Sequence, residues 1–493
     1  MNNLTVVMPF SLEPGSERTL EIFIQSPLVE EVIFLNDGGF ARTSPKCHAM
    51  KTASITSGQV WNEITERIRT EFLLIVTMPG DVEIPPGTLE RFIEVAKSMD
   101  SGMVYSDYLE KEQDNLVEHP VNDYQLGSIR DEFDFGYLIL FSVGAIRSAL
   151  KKYGPIPSVL HAGFYDLRLK VSVNHCLFHI QEYLYTRRGS RGDLDKEGSN
   201  RESQFNYVDR RNQTEQRELE LVATEHLKNI GAFLKPRSKN IRRSRYNFPA
   251  EASVIIPVRN RARTITDAVH SALSQDTNFL FNVIVVDNHS TDGTTSILTK
   301  LTRRNPAVKH MIPSRVDLTI GGCWNEAIFS EVCGRYAVQL DSDDLYKSPG
   351  TLQKIIDVMR TGKFAMVIGS YTLVNESLEE IPPGIIDHRE WTDDNGHNNA
   401  LRVNGLGAPR AFDTGLLRKT GFLNVGYGED YAMALRLSRE YRIGRIYESI
   451  YLCRRWEGNT DAHISIEKCN RYDAFKDKIR TIEIMARRKL TAK

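Results

Sequence analysis

Short runs of apolar, mostly β-branched residues recur along the chain and alternate with segments of helical periodicity. Residues 254–257 and 283–286 are runs of strand length, whereas residues 264–274 carry apolar side chains three or four positions apart. Alternation of these two patterns predicts βα units on a largely parallel sheet. Such sheets bind ligands beyond the carboxyl ends of their strands, which is where Asp287 and Asp341 stand.

The pattern occurs twice along the chain. Residues 75–108 and 338–371 align without a gap at an offset of 263, and ten of the 34 positions are identical. The shared residues include Pro-Gly-Thr-Leu at 86–89 and at 349–352. A repeat of this length predicts two copies of one domain, because the repeats of solenoid proteins are much shorter.

Three segments lie outside the repeated pattern. Residues 214–234 have a helical apolar stripe, residues 235–245 carry six basic side chains and no acidic one, and the chain from Arg471 onward is again basic with helical periodicity. These patterns predict the following boundaries: a first domain at 1–190, a helical, basic linker at 191–248, a second domain at 249–465 and a basic helical tail at 466–493.

Length and composition are those of a multidomain globular protein. The 493 residues are too many for one ordinary domain, and 41% of them are hydrophobic and 26% charged. The net charge is −1, from 63 basic and 64 acidic side chains. No overall field favours binding to nucleic acid, and we expect none among the partners.

Cysteine usage and apolar runs indicate the compartment. The six cysteines include no Cys-x-x-Cys pair, which is typical of reduced thiols in a cytoplasm rather than of disulfides or a zinc site. The N-terminal residues lack a basic region followed by a long apolar core, and the longest apolar run, residues 135–146, is too short to span a bilayer. We expect a cytoplasmic protein without a transmembrane segment, whose basic linker and tail allow weak peripheral contact with the inner face of the membrane.

An Asp-x-Asp motif, Asp341-Ser-Asp343, follows an apolar run of strand length. Two carboxylates one residue apart beyond a strand end both reach one divalent cation, and such a cation holds a diphosphate. Three further motifs precede it in the chain: Val254-Ile-Ile-Pro257-Val-Arg-Asn260, then Asp287-Asn-His-Ser-Thr-Asp292-Gly293, then Gly321-Gly-Cys-Trp-Asn325.

In this order the four motifs resemble family 2 of the glycosyltransferases, over about residues 252–460. The resemblance implies a GT-A fold that binds nucleotide-sugars. With the duplication, it predicts an α/β protein of two tandem GT-A domains (the Rossmann-like fold of nucleotide-diphospho-sugar transferases), joined by a helical linker and followed by a C-terminal helical tail. The first copy would be a degenerate GT-A-like domain.

The resemblance also implies roles for individual residues. Asp343 would ligate Mn²⁺ or Mg²⁺ directly, Asp341 would contact the ribose or reach the metal through water, and His463 is a candidate third metal ligand. Asp430 would be the catalytic base of an inverting transfer, with Glu429 beside it in a Glu-Asp motif. The residues expected to bind the nucleotide are Pro257, Val258, Arg259, Asn260, Asp287, Asn288, Asn325, Asp341 and Ser342. The residues expected on the acceptor side are Gly407, Arg455 and Trp456.

Two positions depart from the family's pattern. Asn288 stands where the family more often has Asp, which weakens any inference about the nucleotide base. Trp456 stands where many members carry a metal-binding His, and His463 comes later in the chain. Trp456 either stacks on an acceptor sugar or is a core residue, and His463 is either a metal ligand or a surface or capping residue.

Each motif also has a purely structural interpretation. Asp341-Ser-Asp343 alone is a common acidic turn after a strand, and residues 287–293 alone are a polar turn that starts a helix. Glu429 and Asp430 alone would stabilise a helix N-terminus through its dipole. Because the motifs occur together and in order, we favour the catalytic interpretation for the second copy.

The first copy lacks the metal carboxylates. In the gap-free alignment, Met78 and Gly80 stand at the positions of Asp341 and Asp343, whereas an Asp is retained at 166, in the region that parallels the Glu-Asp motif. A domain without these carboxylates does not hold a diphosphate in the same way. We expect it to serve as a scaffold, an acceptor-binding surface or a dimerisation surface, with a metal-independent second transferase as the alternative.

The sequence predicts a metal-dependent, inverting glycosyltransferase. It would move a sugar from a nucleotide-sugar, a UDP-sugar by analogy with the family, to a hydroxyl of a glycan, lipid-linked or protein acceptor in surface polysaccharide or glycoconjugate synthesis. The alternative from another class is a non-catalytic sugar- or nucleotide-binding module that supports a partner glycosyltransferase. A sugar-phosphate nucleotidyltransferase is disfavoured, because residues 257–260 contain no Gly-rich triphosphate loop.

Overall fold

The computed structural model forms two compact units. The first unit contains the chain through Arg188 together with residues 212–233 and 464–492, and the second contains residues 234–456 and Asn459. The residues that the structure describes are 3–11, 14–36, 44–52, 54–112, 115–188, 212–236, 239, 241, 246–456, 459 and 464–492.

Strands and helices alternate through most of both units. The elements as far as residue 229 are β1 (Leu4–Pro9), α1 (Pro14–Gln25), β2 (Val29–Asn36), β3 (Cys47–Lys51), α2 (Gly58–Arg67), β4 (Phe72–Val76), β5 (Asp81–Glu83), α3 (Thr88–Ser98), β6 (Ser101–Glu112), β7 (Asn115–His119), β8 (Leu138–Ser142), α4 (Val143–Tyr153), α5 (Gly163–Ser172), β9 (Cys176–Arg188) and α6 (Gln213–Asn229). The elements that follow are β10 (Ala252–Val258), α7 (Ile265–Leu273), β11 (Phe281–Asp287), α8 (Thr294–Arg304), β12 (Val308–Met311), α9 (Ile320–Phe329), β13 (Tyr336–Gln339), β14 (Leu345–Tyr346), α10 (Thr351–Arg360), β15 (Phe364–Val374), β16 (Glu380–Ile386), α11 (Gly396–Asn399), β17 (Arg410–Asp413), α12 (Thr414–Thr420), α13 (Glu429–Ser438), β18 (Arg442–Arg454) and α14 (Ile466–Thr491).

Each unit is built on one mixed sheet, and the two sheets have the same topology. The first has the strand order β3-β2-β1-β4-β8-β6-β9-β5, and the second has the order β12-β11-β10-β13-β17-β15-β18-β14. In both, the first four strands are parallel and the fifth is antiparallel to its neighbours. A further strand, β7 or β16, pairs with β6 or β15. The predicted fold class, two tandem α/β domains of the GT-A type with a C-terminal helix, is confirmed.

Apolar side chains fill both faces of the central strands. Val6 and Val7 of β1 are fully buried, as are Val254, Ile255 and Ile256 of β10. Strands of a parallel sheet that is covered on both faces are continuous apolar runs, which explains why the sequence pattern located them.

Two helices outside the repeated pattern belong to the first unit. Helix α6 packs against α5, and α14 bonds to the segment around residue 128. There the Ser128 hydroxyl donates to Asp477 at 2.9 Å, and the backbone N–H of Gly127 donates to the Thr481 hydroxyl at 2.9 Å. The structure therefore differs from the predicted division into a separate linker and tail. Among the described residues, no helix is both long enough and apolar enough to cross a membrane.

Candidate active site

The carboxyl ends of three parallel strands meet at one edge of the second sheet. Val258 of β10 pairs with Asp287 of β11, and Ile255 of β10 pairs with Gln339, the last residue of β13. The loops that carry three of the four motifs leave the sheet at this edge. The strand register thus brings together residues that lie up to about 80 positions apart in the sequence.

Two of these loops are bonded to each other through Asn260. Its side-chain oxygen accepts a hydrogen bond from the backbone N–H of Thr291 at 2.7 Å, and its own N–H donates to the Ser290 hydroxyl at 3.0 Å. Asn260 has a φ of 54°, a conformation that Asn adopts more readily than most residues. The residue therefore turns the chain after β10 and ties that loop to the one after β11.

Asp287 ends β11 as a fully buried carboxylate. It accepts hydrogen bonds from the N–H of Ser290 at 3.0 Å and the hydroxyl of Thr295 at 2.6 Å, and Nε2 of His310 lies 3.3 Å away. Burial alone would raise the pKa of Asp287, but these hydrogen bonds outweigh it and lower the pKa. Asp287 is therefore an ionised acceptor at the strand edge.

The other residues predicted to bind the nucleotide have different surroundings. Asn288 donates to the carbonyl of Leu318 at 2.8 Å, and its side-chain oxygen is buried without a hydrogen-bond partner among the described residues. The side-chain N–H of Asn325 donates to the carbonyl of Phe422 at 2.9 Å, and its side-chain oxygen accepts from the N–H of Phe422 at 2.8 Å. Both hydrogen bonds give Asn325 a structural role. In the loop after β10, Pro257 is half-buried, Val258 is buried and Arg259 is exposed.

Asp341 is held by the strand that precedes it. Both of its carboxylate oxygens accept from the side-chain amide of Gln339 at 3.0 Å, and its backbone N–H donates to the Tyr451 hydroxyl at 3.0 Å. Burial raises the pKa of Asp341 to about 6, and the negative charge of Asp343 adds to this increase. The carboxyl group thus titrates close to neutral pH.

Asp343 is held by the segment that follows β18. One of its oxygens accepts from the indole N–H of Trp456 at 3.2 Å and from the amide of Asn459 at 3.4 Å, and Nε of Arg261 lies 3.7 Å away. The Trp456 ring faces the guanidinium groups of Arg261 at 5.7 Å and Arg263 at 5.1 Å. Trp456, predicted for the acceptor side, therefore contacts the carboxylate predicted to bind the metal.

The two remaining residues of this turn, Ser342 and Asp344, form hydrogen bonds with other segments of the second unit. Ser342 is buried, and its carbonyl accepts from the Thr264 hydroxyl at 2.9 Å. Asp344 is buried and accepts from the backbone N–H of Arg454 at 2.7 Å. Burial, with repulsion from the other two aspartates of the turn, raises the pKa of Asp344 well above its usual range. The turn therefore concentrates three acids, and burial together with their mutual repulsion favours the protonated form of Asp344.

One arginine connects the Asp-x-Asp turn to the Glu-Asp motif. Arg410, the first residue of β17, donates to Gln339 at 3.2 Å, and its Nη2 lies 2.7 Å from Oδ2 of Asp430. Because Gln339 also donates to Asp341, a continuous polar chain joins Asp341 to Asp430. Burial would lower the pKa of the Arg410 guanidinium, but the charges of Asp430 and Asp341 outweigh burial and raise it.

The Glu-Asp motif begins α13. Gly428 precedes it with a φ of 80°, which L side chains rarely adopt, and thereby directs the chain into the helix. Glu429 is buried, and burial together with the charge of Asp430 raises its pKa to about 8. Asp430 is more exposed and forms the ion pair with Arg410. At neutral pH, therefore, Glu429 is largely protonated, whereas Asp430 lies opposite an arginine.

The other residues predicted for acceptor or metal binding are held mainly by the backbone. Gly407 has a φ of 91°, and a Cβ atom there would lie 2.7 Å from Cδ2 of His388. Arg455 donates its backbone N–H to the carbonyl of Val374 at 2.7 Å. His463 lies outside the described residues, so its metal role stays a prediction.

Asp341 and Asp343 suit a hard divalent cation. Mg²⁺ and Mn²⁺ prefer carboxylate oxygens, and a cation would favour the ionised form of Asp341, whose pKa is raised by burial and by the charge of Asp343. In the described part of the chain, no three or more His, Cys, Asp or Glu side chains are arranged as a metal site. These two aspartates are accordingly the candidate protein ligands there.

The corresponding edge of the first sheet has different chemistry. Asp81 pairs with Arg18, and Nε of Arg188 lies 3.8 Å away. Asp166 has the ammonium group of Lys170 at 2.6 Å. Both acids therefore have cationic partners within their own unit, and in the Asp341 turn Asp343 has Arg261 at 3.7 Å.

Gln339 and Arg410 are not among the site residues that the sequence predicted. The signal for Gln339 is a long polar side chain that interrupts an apolar strand directly before the acidic turn. Arg410 has no comparable local signal, because its partners lie in other elements of the sheet.

Parts of this sequence match known proteins. Residues 253–422 match the family model described as glycosyl transferase family 2. An uncharacterised glycosyltransferase of Nostoc sp. is 32% identical over 124 residues, which are 25% of this chain and 37% of that protein. A protein of Bacillus subtilis that carries the name teichuronic acid biosynthesis glycosyltransferase TuaG is 32% identical over 128 residues, which are 26% of this chain and 49% of that protein. The chain thus spans less than half the length of each of these relatives.

Two solved structures are similar to about half of this chain. Residues 1–349 of S. aureus TarS, in complex with UDP-GlcNAc, match with 22% identity and a TM-score of 0.37, over 48% of this chain and 72% of that one. The mannosyltransferase PcManGT of Pyrobaculum calidifontis, in complex with GDP-Man and Mn²⁺, matches with 16% identity and a TM-score of 0.34, over 54% of this chain and 81% of that one. By its matched sequence, the second unit of this chain belongs to family 2 of the glycosyltransferases.

Proposed function

We propose that the second unit transfers a sugar from a nucleotide-sugar to an acceptor hydroxyl with a divalent cation and inversion at the anomeric carbon. One observation carries the proposal: the polar chain Asp341–Gln339–Arg410–Asp430 joins the expected metal carboxylate to the expected base. Transfer requires positive charge at the departing diphosphate, which a cation on Asp341 and Asp343 would supply, and a carboxylate near the acceptor, which Asp430 would supply.

Asp343 and Asp341 would hold Mn²⁺ or Mg²⁺, which supplies positive charge to the diphosphate leaving group when bound. Three N–H groups occupy these carboxylates in the structure, from Gln339, Trp456 and Asn459. They keep both acids oriented toward the strand edge. On binding, the cation would also favour the ionised form of Asp341, whose pKa is about 6 without it.

Asp430 would accept the proton of the acceptor hydroxyl. Its neighbour Glu429 is unsuited to this role at neutral pH, because its pKa of about 8 leaves it largely protonated. Glu429 would instead donate a hydrogen bond. Arg410 would hold Asp430 in place and balance its charge until substrate binds.

The nucleotide would lie on the loops after β10 and β11. Asp287 is an ionised acceptor suited to N–H or hydroxyl donors, and the unpartnered side-chain oxygen of Asn288 would accept one more. Asn260 would fix the shape of this surface by bonding the two loops together. A UDP-sugar is the donor we propose, with a glycan, lipid-linked or protein hydroxyl as the acceptor in glycoconjugate synthesis.

The first unit is proposed to be a non-catalytic copy. Its acids at the corresponding edge are paired with Arg18, Arg188 and Lys170. Such internally neutralised acids have little need of a cation. We propose a scaffold or acceptor-binding role for this unit, in a protein of the cytoplasm.

Ligand-induced stabilisation tests the metal and nucleotide roles. Thermal unfolding of the full chain would be followed with UDP and GDP, each with and without Mn²⁺. We expect one nucleotide to raise the unfolding temperature by several degrees only when Mn²⁺ is present, because ligands that bind the folded state stabilise it. Asp343→Asn should abolish this shift, whereas Asp276→Asn, at an exposed position far along the chain from the motif, should retain it.

A second variant separates binding from catalysis. Asp430→Asn should keep the Mn²⁺-dependent shift and reduce sugar release from the donor by roughly 100-fold or more. A nucleotide shift without metal, or an unchanged shift in Asp343→Asn, would contradict the metal role. Full activity in Asp430→Asn would contradict the assignment of the base.

A further inference from the structure

The C-terminal helix α14 distributes its charged and apolar residues in an unusual way. Two of its acids lie on the face that packs within the first unit: Asp477 is fully buried beside Arg480 at 2.7 Å, and Glu483 is buried beside Arg487 at 2.8 Å. By contrast, Ile482 is 59% exposed and Met485 is 50% exposed. A helix of a globular domain ordinarily does the reverse, so its outer face needs a separate explanation.

The exposed apolar residues belong to one stripe along the helix. We call this the basic–apolar stripe, which consists of Arg471, Phe475, Lys478, Ile482, Met485 and Lys489. These positions are three or four residues apart, so their side chains lie above one another on one face. At 1.5 Å per residue the stripe is about 27 Å long. Phe475 is half-buried, and the other five residues are exposed.

From Arg471 onward the outer face of the helix carries only positive charge, whereas Glu467, one turn earlier on the same face, is exposed. Among its described residues from Arg471 to Ala492, none of the exposed ones is acidic. Asp473, which is half-buried, lies 3.3 Å from the guanidinium of Arg130 in the same unit. Basic residues thus stand at both ends of an apolar centre, and the exposed acid Glu467 lies one turn from Arg471, at one end of the stripe.

We propose that the basic–apolar stripe lies on the surface of an anionic lipid bilayer. Ile482 and Met485 would enter the headgroup region, and Arg471, Lys478 and Lys489 would pair with lipid phosphates. Helices with a basic face and a few large apolar side chains bind such surfaces through two contributions together, the burial of the apolar side chains and the attraction of the basic ones to anionic lipid. The long stems of the basic residues also let their charges reach the headgroups while the apolar centre is inserted.

A second copy of the chain is a poorer occupant of the same face. If two stripes packed antiparallel about Ile482 and Met485, Lys478 of one copy would meet Lys489 of the other. Parallel packing would place each lysine beside its own counterpart. Both arrangements bring like charges together, which is unfavourable, whereas a polyanionic surface satisfies every charge on the stripe.

Vesicle binding of the full chain tests the proposal, independently of any transferase activity. Purified protein would be sedimented with vesicles of phosphatidylcholine alone or with 30% phosphatidylglycerol. We expect binding to the anionic vesicles only, and its loss in 0.5 M salt, because salt screens the headgroup charges. Ile482→Ser with Met485→Ser should weaken binding at least ten-fold. Lys478→Gln with Lys489→Gln should weaken it by roughly five-fold for each charge removed.

The control is Leu280→Ser, which removes another highly exposed apolar residue, in the second unit, and should bind like the unmodified chain. All variants change exposed residues, and circular dichroism with thermal unfolding would verify that they fold. The proposal is overturned if the unmodified chain ignores anionic vesicles at low salt, or if both double variants bind as well as it does. Light scattering that shows an oligomer dissolved by Ile482→Ser with Met485→Ser would assign the stripe to a protein interface instead.

Discussion

Glu429 and Asp430 show how neighbouring carboxyl groups acquire different chemistry. Glu429 is buried, and its pKa rises to about 8, whereas Asp430 forms an ion pair with Arg410. In a site where one acid holds its proton and the other is paired with an arginine, the two can perform different steps. The difference depends on burial and partners, not on residue type.

The raised pKa of Glu429 predicts a pH dependence of stability. Between its ordinary pKa of 4.5 and about 8, the folded chain binds a proton that the unfolded chain releases. The free energy of unfolding of the second unit should therefore fall as pH rises through this window, in total by on the order of a few kcal/mol. Glu429→Gln should flatten the profile measured by urea unfolding from pH 5 to 8.

Asp341 also has a raised pKa, of about 6. In Glu429→Gln, the free energy of unfolding should therefore still fall as pH rises, but less steeply than in the unmodified chain. Exposed Glu331→Gln serves as the control and should reproduce the unmodified profile. An identical slope in Glu429→Gln would show that the carboxyl group does not hold its proton in the folded chain.

Arg410 predicts opposite effects on stability and on the response to metal. Its removal in Arg410→Gln leaves Asp341 and Asp430 without their shared cation, which should destabilise the second unit by about 3 kcal/mol. Mn²⁺ should then raise the unfolding temperature more in the variant than in the unmodified chain, because it replaces the missing charge. Arg389→Gln, at a side chain that is 62% exposed, is the control. Equal Mn²⁺ responses in all three proteins would contradict a cation site at Asp341.

At the scale of elements, helix and strand ends place the site. Strands β10, β11 and β13 bring their carboxyl ends together, and α13 presents Glu429 and Asp430 from its first turn. The start of α13 depends on Gly428, whose φ of 80° suits glycine. A small change at this one residue should therefore move both carboxyl groups.

Comparison of two glycines tests this positioning. Gly428→Ala and Gly362→Ala both place a Cβ at a positive φ, 80° and 69° respectively, and each should lower stability by about 1 kcal/mol. Only Gly428→Ala should also reduce turnover, because Gly362 follows α10, where an added methyl group would meet no described atom within 4 Å. Turnover that falls equally in the two variants would attribute the loss to stability alone.

At the scale of the whole molecule, the chain repeats one sheet topology and then returns to its first unit. Helix α14 follows the second unit in sequence but belongs to the first, where Asp477 accepts from Ser128 and lies beside Arg480 and Arg130. The first unit therefore requires the last residues of the chain for its own polar contacts.

Asp477→Asn should destabilise the first unit selectively. The substitution removes the buried negative charge that lies beside Arg480 and Arg130, at an expected cost of about 3–5 kcal/mol. Differential scanning calorimetry should show a lower unfolding temperature for the first unit, while the nucleotide-dependent stabilisation of the second unit is unchanged. Lys478→Gln, one residue further along and exposed, should leave both transitions in place. Loss of the nucleotide response in Asp477→Asn would contradict the independence of the second unit.

The local pattern determined much of this protein. Apolar runs and helical periodicity are properties of neighbouring residues, so the sequence alone predicted two tandem α/β domains, and the order of its motifs predicted the family of the second. Tertiary structure decided the partners: Asn325 is used on the backbone of Phe422, α14 joins the first unit, and Arg410 connects Asp341 to Asp430. The physical reason is that proton affinity and ion pairing depend on burial and on charges from distant parts of the chain. No window of neighbouring residues contains that information.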